Sequence, residues 1–125
     1  MYKLLIYNKN TIQSININYA SNYIKRLKGL MLQKKFNGLL YKQKYENRYY
    51  STIHTFFMKV EIDIIYLDKK QQLQEITTLK PNKIHIPQKN NTRYIIELFP
   101  KTIKKYKIRQ KTKLWLSSCW VLKKF

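Results

Sequence analysis

The chain has 125 residues, is 44% hydrophobic and carries a formal net charge of +20, from 26 Lys and Arg against 6 Asp and Glu. That length suits one domain over 1–125, able to bury roughly two-thirds of its unfolded surface without covalent or metal staples, and the composition excludes extensive disorder. The single cysteine, Cys119, excludes an internal disulfide, and no run reaches the roughly 20 apolar residues of a spanning helix. The first residues, MYKLLIYNKN, lack the apolar core of a secretory signal, so a reducing, cytoplasmic setting is expected.

Taken in chain order, Tyr2 to Tyr7 is apolar and β-prone, and residues 8–10 read as a turn. Ile15, Ile17 and Tyr19 then alternate with Asn16 and Asn18, which predicts the second strand of a hairpin. Over 20–31 the period changes. Tyr23 or Ile24, Leu27, Leu30 and Met31 recur at three and four residues, with Ser21 as N-cap and Gly29 as stop. A short helix is predicted over 21–29. Further strands are predicted at 38–42, 50–58, 62–67, 72–79, 93–99 and 112–122, separated by turn signals such as Lys69-Lys70-Gln71, Pro81-Asn82 and Pro100. Residues 117–125 read as an extra strand or a basic tail. The fold class is mainly β, a small sandwich or barrel with one short helix.

Two long motifs resemble a known family. They are Arg26-Leu27-Lys28-Gly29-Leu30-Met31, and Ile53-His54-Thr55-Phe56-Phe57-Met58 followed by Ile62-Asp63-Ile64-Ile65-Tyr66-Leu67-Asp68. Together they resemble the domain-of-unknown-function 192 family (uncharacterised protein family 0127), and the His-Thr-Phe-Phe-Met form is similar to its archaeal members. Weaker echoes are Gly38-Leu39-Leu40, Leu79-Lys80-Pro81 and Tyr94 to Pro100. The resemblance covers about residues 20–116. It implies a compact β-sandwich or barrel with a short helix near its start, and implies no activity. Glu61 stands where a proline is usual, and Lys111-Thr112 where Gly-Asp is usual.

The candidate ligand-binding residues are His54, Met58, Asp63 and Arg26. Asp63 lies among Ile62, Ile64 and Ile65, where a carboxylate is costly unless hydrogen-bonded. It is read either as a structural acceptor or as an acid in a ligand pocket. Pairing 50–58 with 62–68 through a three-residue loop would set Met58 opposite Ile62 and leave His54 and Asp63 on opposite faces. His54 and Met58 are two soft donors, too few for a metal site even with His85. No catalytic motif, phosphate loop or cofactor signature is present, which points away from an enzyme.

The charge is uneven. Residues 25–50 carry +7 and residues 101–125 carry +9, while 1–24 and 51–100 carry +2 each. Such flanks attract polyanions, although a Lys-, Asn- and Ile-rich composition also matches an AT-rich genome. Within the first flank, Tyr41, Lys42, Lys44, Tyr45 and Arg48, with Tyr49 and Tyr50, interleave rings and cations as single-strand binders do. In the second, Lys104, Lys105 and Lys107 lie among Lys101, Arg109, Lys111 and Lys113. These are the candidate nucleic-acid contacts. The bland alternative for both is a solvated basic surface. The readings carried forward are a non-catalytic binding module for an unidentified ligand or protein partner, a nucleic-acid-associated protein, and an enzyme using Asp63 or His54.

Overall fold

The protein is described here from a computed structural model, over residues 2–20 and 38–117. The predicted helix at 21–29, Arg26, and the tail beyond 117 lie outside the described residues.

Strands β1 (Tyr2–Asn8) and β2 (Thr11–Ala20) form the predicted hairpin, with Asn8 opposite Thr11 and Tyr2 opposite Ile17. Strand β3 (Gly38–Lys42) runs parallel to β2, from Asn18 opposite Leu39 to Ala20 opposite Tyr41. The chain then turns through a 3-10 helix (Arg48–Ser51) into a short strand, β4 (Ile53–His54). Four further strands follow: β5 (Ile62–Leu67), β6 (Leu73–Leu79), β7 (Ile84–His85) and β8 (Tyr94–Leu98). One helical turn, α1 (Thr102–Lys105), precedes β9 (Lys113–Ser117). Seven strands form one curled sheet in the order β6-β5-β8-β3-β2-β1-β9, antiparallel except at β2–β3. The protein is mainly β, as expected, and its architecture is a half-barrel.

Alternation along each strand decides which side chains enter the half-barrel. Leu4, Ile6, Ile15, Ile17, Leu40, Ile65, Leu67, Ile96, Leu98, Leu114 and Leu116 form its buried interior. The segment after β8 packs against that interior with Ile103, Tyr106 and Ile108. The intervening residues Ile62, Ile64, Tyr66, Leu79 and Ile95 face outward and form a second core with Ile53 and Met58. The outer layer is a two-stranded ribbon in which Ile53 pairs with His85 and His54 with Ile84.

Two expectations are corrected. The apolar run 50–58 is not one strand: only Ile53 and His54 are extended, flanked by the 3-10 helix and by turns. Nor does it pair with 62–68. β5 pairs with β6, Asp63 opposite Thr78, and with β8, Asp63 opposite Leu98. The physical reason is burial: all six β5 residues are buried, so both of its edges and both of its faces need cover. A neighbouring hairpin alone would leave one edge unpaired.

The registers give the sheet two distinct ends. The β1–β2 turn, the starts of β5 and β9 and the ends of β6 and β8 lie at one, with α1 just beyond β8. The ends of β3 and β5 and the start of β8 lie at the other. The edge strands β6 and β9 are not hydrogen-bonded to each other as strands. Side chains bridge the seam instead: Leu116 N–H donates to Gln71 Oε1 (2.8 Å), and Gln110 Nε2 donates to Gln74 O (3.3 Å).

Candidate functional site

Asp63 faces the interior at the α1 end, where it is 2% exposed. Its Oδ1 accepts from Thr78 Oγ1 (2.8 Å) and its Oδ2 from the backbone N–H of Ile103 (2.9 Å). Ile103 is in the first turn of α1, whose N-cap, Lys101, has a left-handed backbone (φ 67) and makes no side-chain cap. Asp63 therefore supplies from β5 the acceptor that the helix start lacks locally. Both carboxylate oxygens are engaged in holding α1 and β6.

The remaining ligand-site candidates lie elsewhere. Met58 is buried in the outer core, on the other side of the sheet from Asp63. His54 shares a ribbon face with Ile84, which is 58% exposed, and stacks on Phe56 at 4.9 Å. His85, on the ribbon's other face, bonds Glu75 Oε2 through Nε2 (2.5 Å) and lies against Tyr66 at 5.9 Å. The sheet and the ribbon thus separate His54 from Asp63, and no acid–base pair joins them. Among the described residues, no group of three or more His, Cys, Asp or Glu is placed to hold a metal ion.

Thr55 is the pin of the His-Thr-Phe-Phe-Met motif. It is fully buried; its hydroxyl donates to Lys80 O (2.5 Å) and accepts from Lys83 N–H (3.0 Å). Asn82 Oδ1 accepts from Phe57 N–H (3.2 Å), and Phe57 and Asn82 both have positive φ. Two turns are locked together, and Phe57 is left 72% exposed.

The basic segment 101–113 builds two adjoining clefts at the α1 end. One, of about 360 Å³, has Asp63, Glu61 and Thr78 on one side and Lys101, Lys104, Lys107 and Arg109 on the other. The second, of about 490 Å³, lies between the β1–β2 turn and the segment after α1. Its cations are Lys9, Lys105, Lys107 and Arg109; its other walls are the amides and hydroxyls of Asn8, Asn10, Thr11, Gln13 and Thr112, with no acid. Asn8 Nδ2 fastens the two walls by donating to Tyr106 O (3.3 Å). The predicted Lys104, Lys105 and Lys107 are here. Lys9 was not read as part of this group; only the hairpin register, with its turn at the α1 end, brings it near residues distant in sequence.

The other half of the predicted nucleic-acid surface is at the opposite end of the sheet, so one flat face does not join 41–50 to 101–107. Tyr41 is half-buried and packs against the outer core. Lys42, the last residue of β3, is exposed with its Nζ 6.0 Å from the centre of the Tyr94 ring; Lys44 and Tyr45 are exposed in the connection that follows, and Arg48 is half-buried. A second buried acid, Glu97, was also not singled out. It is 1% exposed, opposite Ile64 and Leu39, and faces outward where Asp63 faces inward.

Comparison with known proteins agrees with this architecture. The model of the family DUF192, described as Uncharacterized ACR, COG1430, matches residues 5–116. A UPF0127 protein of Pyrococcus horikoshii is 42% identical over 89 residues, covering 71% of this chain and 76% of that protein. One from Pyrococcus abyssi is 40% identical over 81 residues, covering 65% and 68% respectively. A crystal structure of a protein of unknown function from Novosphingobium aromaticivorans superposes with a TM-score of 0.72 at 12% identity, covering 90% of this chain and 83% of that one; this likeness bears on the fold alone. With its motifs, its sheet and a match over almost its full described length, the chain belongs to the DUF192 family, with archaeal relatives.

Proposed function

We propose that the protein is a non-catalytic binding module, and that its ligand is an anion held at the α1 end of the half-barrel. The observation that carries this reading is the composition of the larger cleft. Four cations and several hydroxyls and amides line it, and no carboxylate does. Phosphate oxygens accept from such groups, and a concave wall focuses the field of a basic protein. The adjoining cleft supports the same reading, because its one buried acid is already occupied in holding α1 and β6. The enzyme reading gains no support, since Asp63 and His54 are in different layers.

The test is titration calorimetry with inorganic tripolyphosphate at constant ionic strength. The expected result is saturable binding that weakens by about tenfold, roughly 1.4 kcal/mol, in the Lys107→Gln/Arg109→Gln variant, from two largely exposed charged contacts of under about 1 kcal/mol each. Heat that does not saturate, or equal affinity in the variant, would overturn the reading.

Nucleic-acid association is the second reading. It is favoured by the cluster of exposed tyrosines and basic residues between β3 and β4, which the cleft reading leaves unused.

A further inference from the structure

We infer that the turn spanning Tyr45 to Tyr50 is a stacking surface for the unpaired bases of single-stranded nucleic acid. The inference deepens the second reading and does not rest on the anion cleft, which is at the other end of the sheet.

Tyr45, Tyr49 and Tyr50 are 62%, 64% and 63% exposed. A large ring normally hides at least one face against its own protein, because that face contributes most of its favourable burial. Three adjacent rings left this open are unusual for a loop that merely edges a core.

The turn holds them there. Asn47 caps the 3-10 helix, its Oδ1 accepting from Tyr49 N–H (2.9 Å) and its carbonyl from Tyr50 N–H (3.0 Å). Tyr49 O accepts from the Thr52 hydroxyl (2.7 Å), and the Gln43 amide donates to Tyr50 O. Asn90 Oδ1 accepts from Arg48 N–H (3.0 Å), tying the turn to the β7–β8 connection. Ser51, between the rings and β4, is buried. The backbone is thus fixed while the rings project, so little ordering cost remains for a ligand that stacks on them.

Tyr45 and Tyr50 lie 5.3 Å apart at 40°, and the Arg48 guanidinium sits 4.9 Å over Tyr49. Lys42 and Lys44 flank the turn, and the acid within it, Glu46, faces Arg93 at 3.5 Å. Rings that accept any base face, beside cations that meet phosphates, are the two parts of sequence-tolerant single-strand binding. A protein partner fits less well, because such a basic neighbourhood demands dense acids opposite it.

The experiment is fluorescence anisotropy of a short labelled single-stranded RNA and its duplex, over a salt series, with the full chain. Tyr45→Ala/Tyr49→Ala is expected to weaken single-strand binding by about tenfold or more at physiological salt, whereas Tyr45→Phe/Tyr49→Phe, which keeps the rings, stays within about twofold of the parent. The Lys107→Gln/Arg109→Gln variant is expected to keep the tyrosine-dependent loss, which separates this surface from the cleft. Thermal midpoints of all variants check that they remain folded. Alanine variants that bind as the parent does, or a duplex bound as tightly as the single strand and released by modest salt, would overturn the inference.

Discussion

Thr55 shows how one hydroxyl can organise a motif. Its side chain satisfies Lys80 O and Lys83 N–H, and its backbone satisfies Lys83 O and Asn82 N–H. Replacing it with valine keeps the volume but removes the hydroxyl, leaving Lys80 O and Lys83 N–H, both part-buried, without that partner. Thr55→Val is expected to destabilise the protein by about 2 kcal/mol, and Thr55→Ser by less. Urea unfolding checks this: the midpoint should fall while the denaturant slope stays constant. Asp63 acts on the same scale, since a single carboxylate links β5, β6 and α1. In the sequence it stands out as an acid inside an apolar strand. Its acceptor role was one of the two readings there, but its partners, 15 and 40 positions away, were beyond reach.

At the scale of elements, the seam between β6 and β9 is the distinctive contact. Gln71, at a positive φ in the β5–β6 turn, reaches across to the Leu116 N–H of β9. The turn itself is wound on Asp68, whose Oδ1 accepts from the N–H groups of Lys70 and Gln72 at 2.9 Å each. An open strand edge is a site for unwanted pairing, and here a side chain occupies it. Gln71→Ala is expected to cost only about 1 kcal/mol in global stability, as one hydrogen bond does. Amide exchange at Leu116 should nonetheless accelerate while exchange in β5 stays unchanged. Hydrogen exchange followed by NMR reads both. Equal protection at Leu116 would show that the seam is held some other way.

For the whole molecule, charge and topology set the behaviour. A net charge of +20 on a small protein repels itself, and the clefts at the α1 end concentrate that repulsion. The thermal midpoint is expected to rise by a few degrees between about 20 and 200 mM sodium chloride as the Debye length shortens. Differential scanning calorimetry checks it, and a midpoint that falls would contradict the argument. This scale also marks what the residues revealed beforehand. Short apolar runs between turn signals located β3 and β5 and most of β6 and β8. The run 50–58 misled, because Thr55 and Asn82 impose turns that hydrophobicity does not record. The partners of β5 were illegible for a further reason: it is buried on both faces, so alternation could not select a neighbour. Charge position was legible, but which charges meet was decided by the β1–β2 register.

The place of β1 carries one more consequence. It lies between β2 and β9, with Leu4 opposite both Ile15 and Leu116. A ribosome releases the first hairpin early, yet the strand that completes its other side comes only with residues 113–117. Until then the Leu4, Ile6, Ile15 and Ile17 surface lacks Leu114 and Leu116 on that flank. Order of birth and order of assembly are therefore opposed. A nascent chain halted before Lys113 presents an unpaired edge of β1 to chaperones, and β9 acts as the latch that ends that exposure.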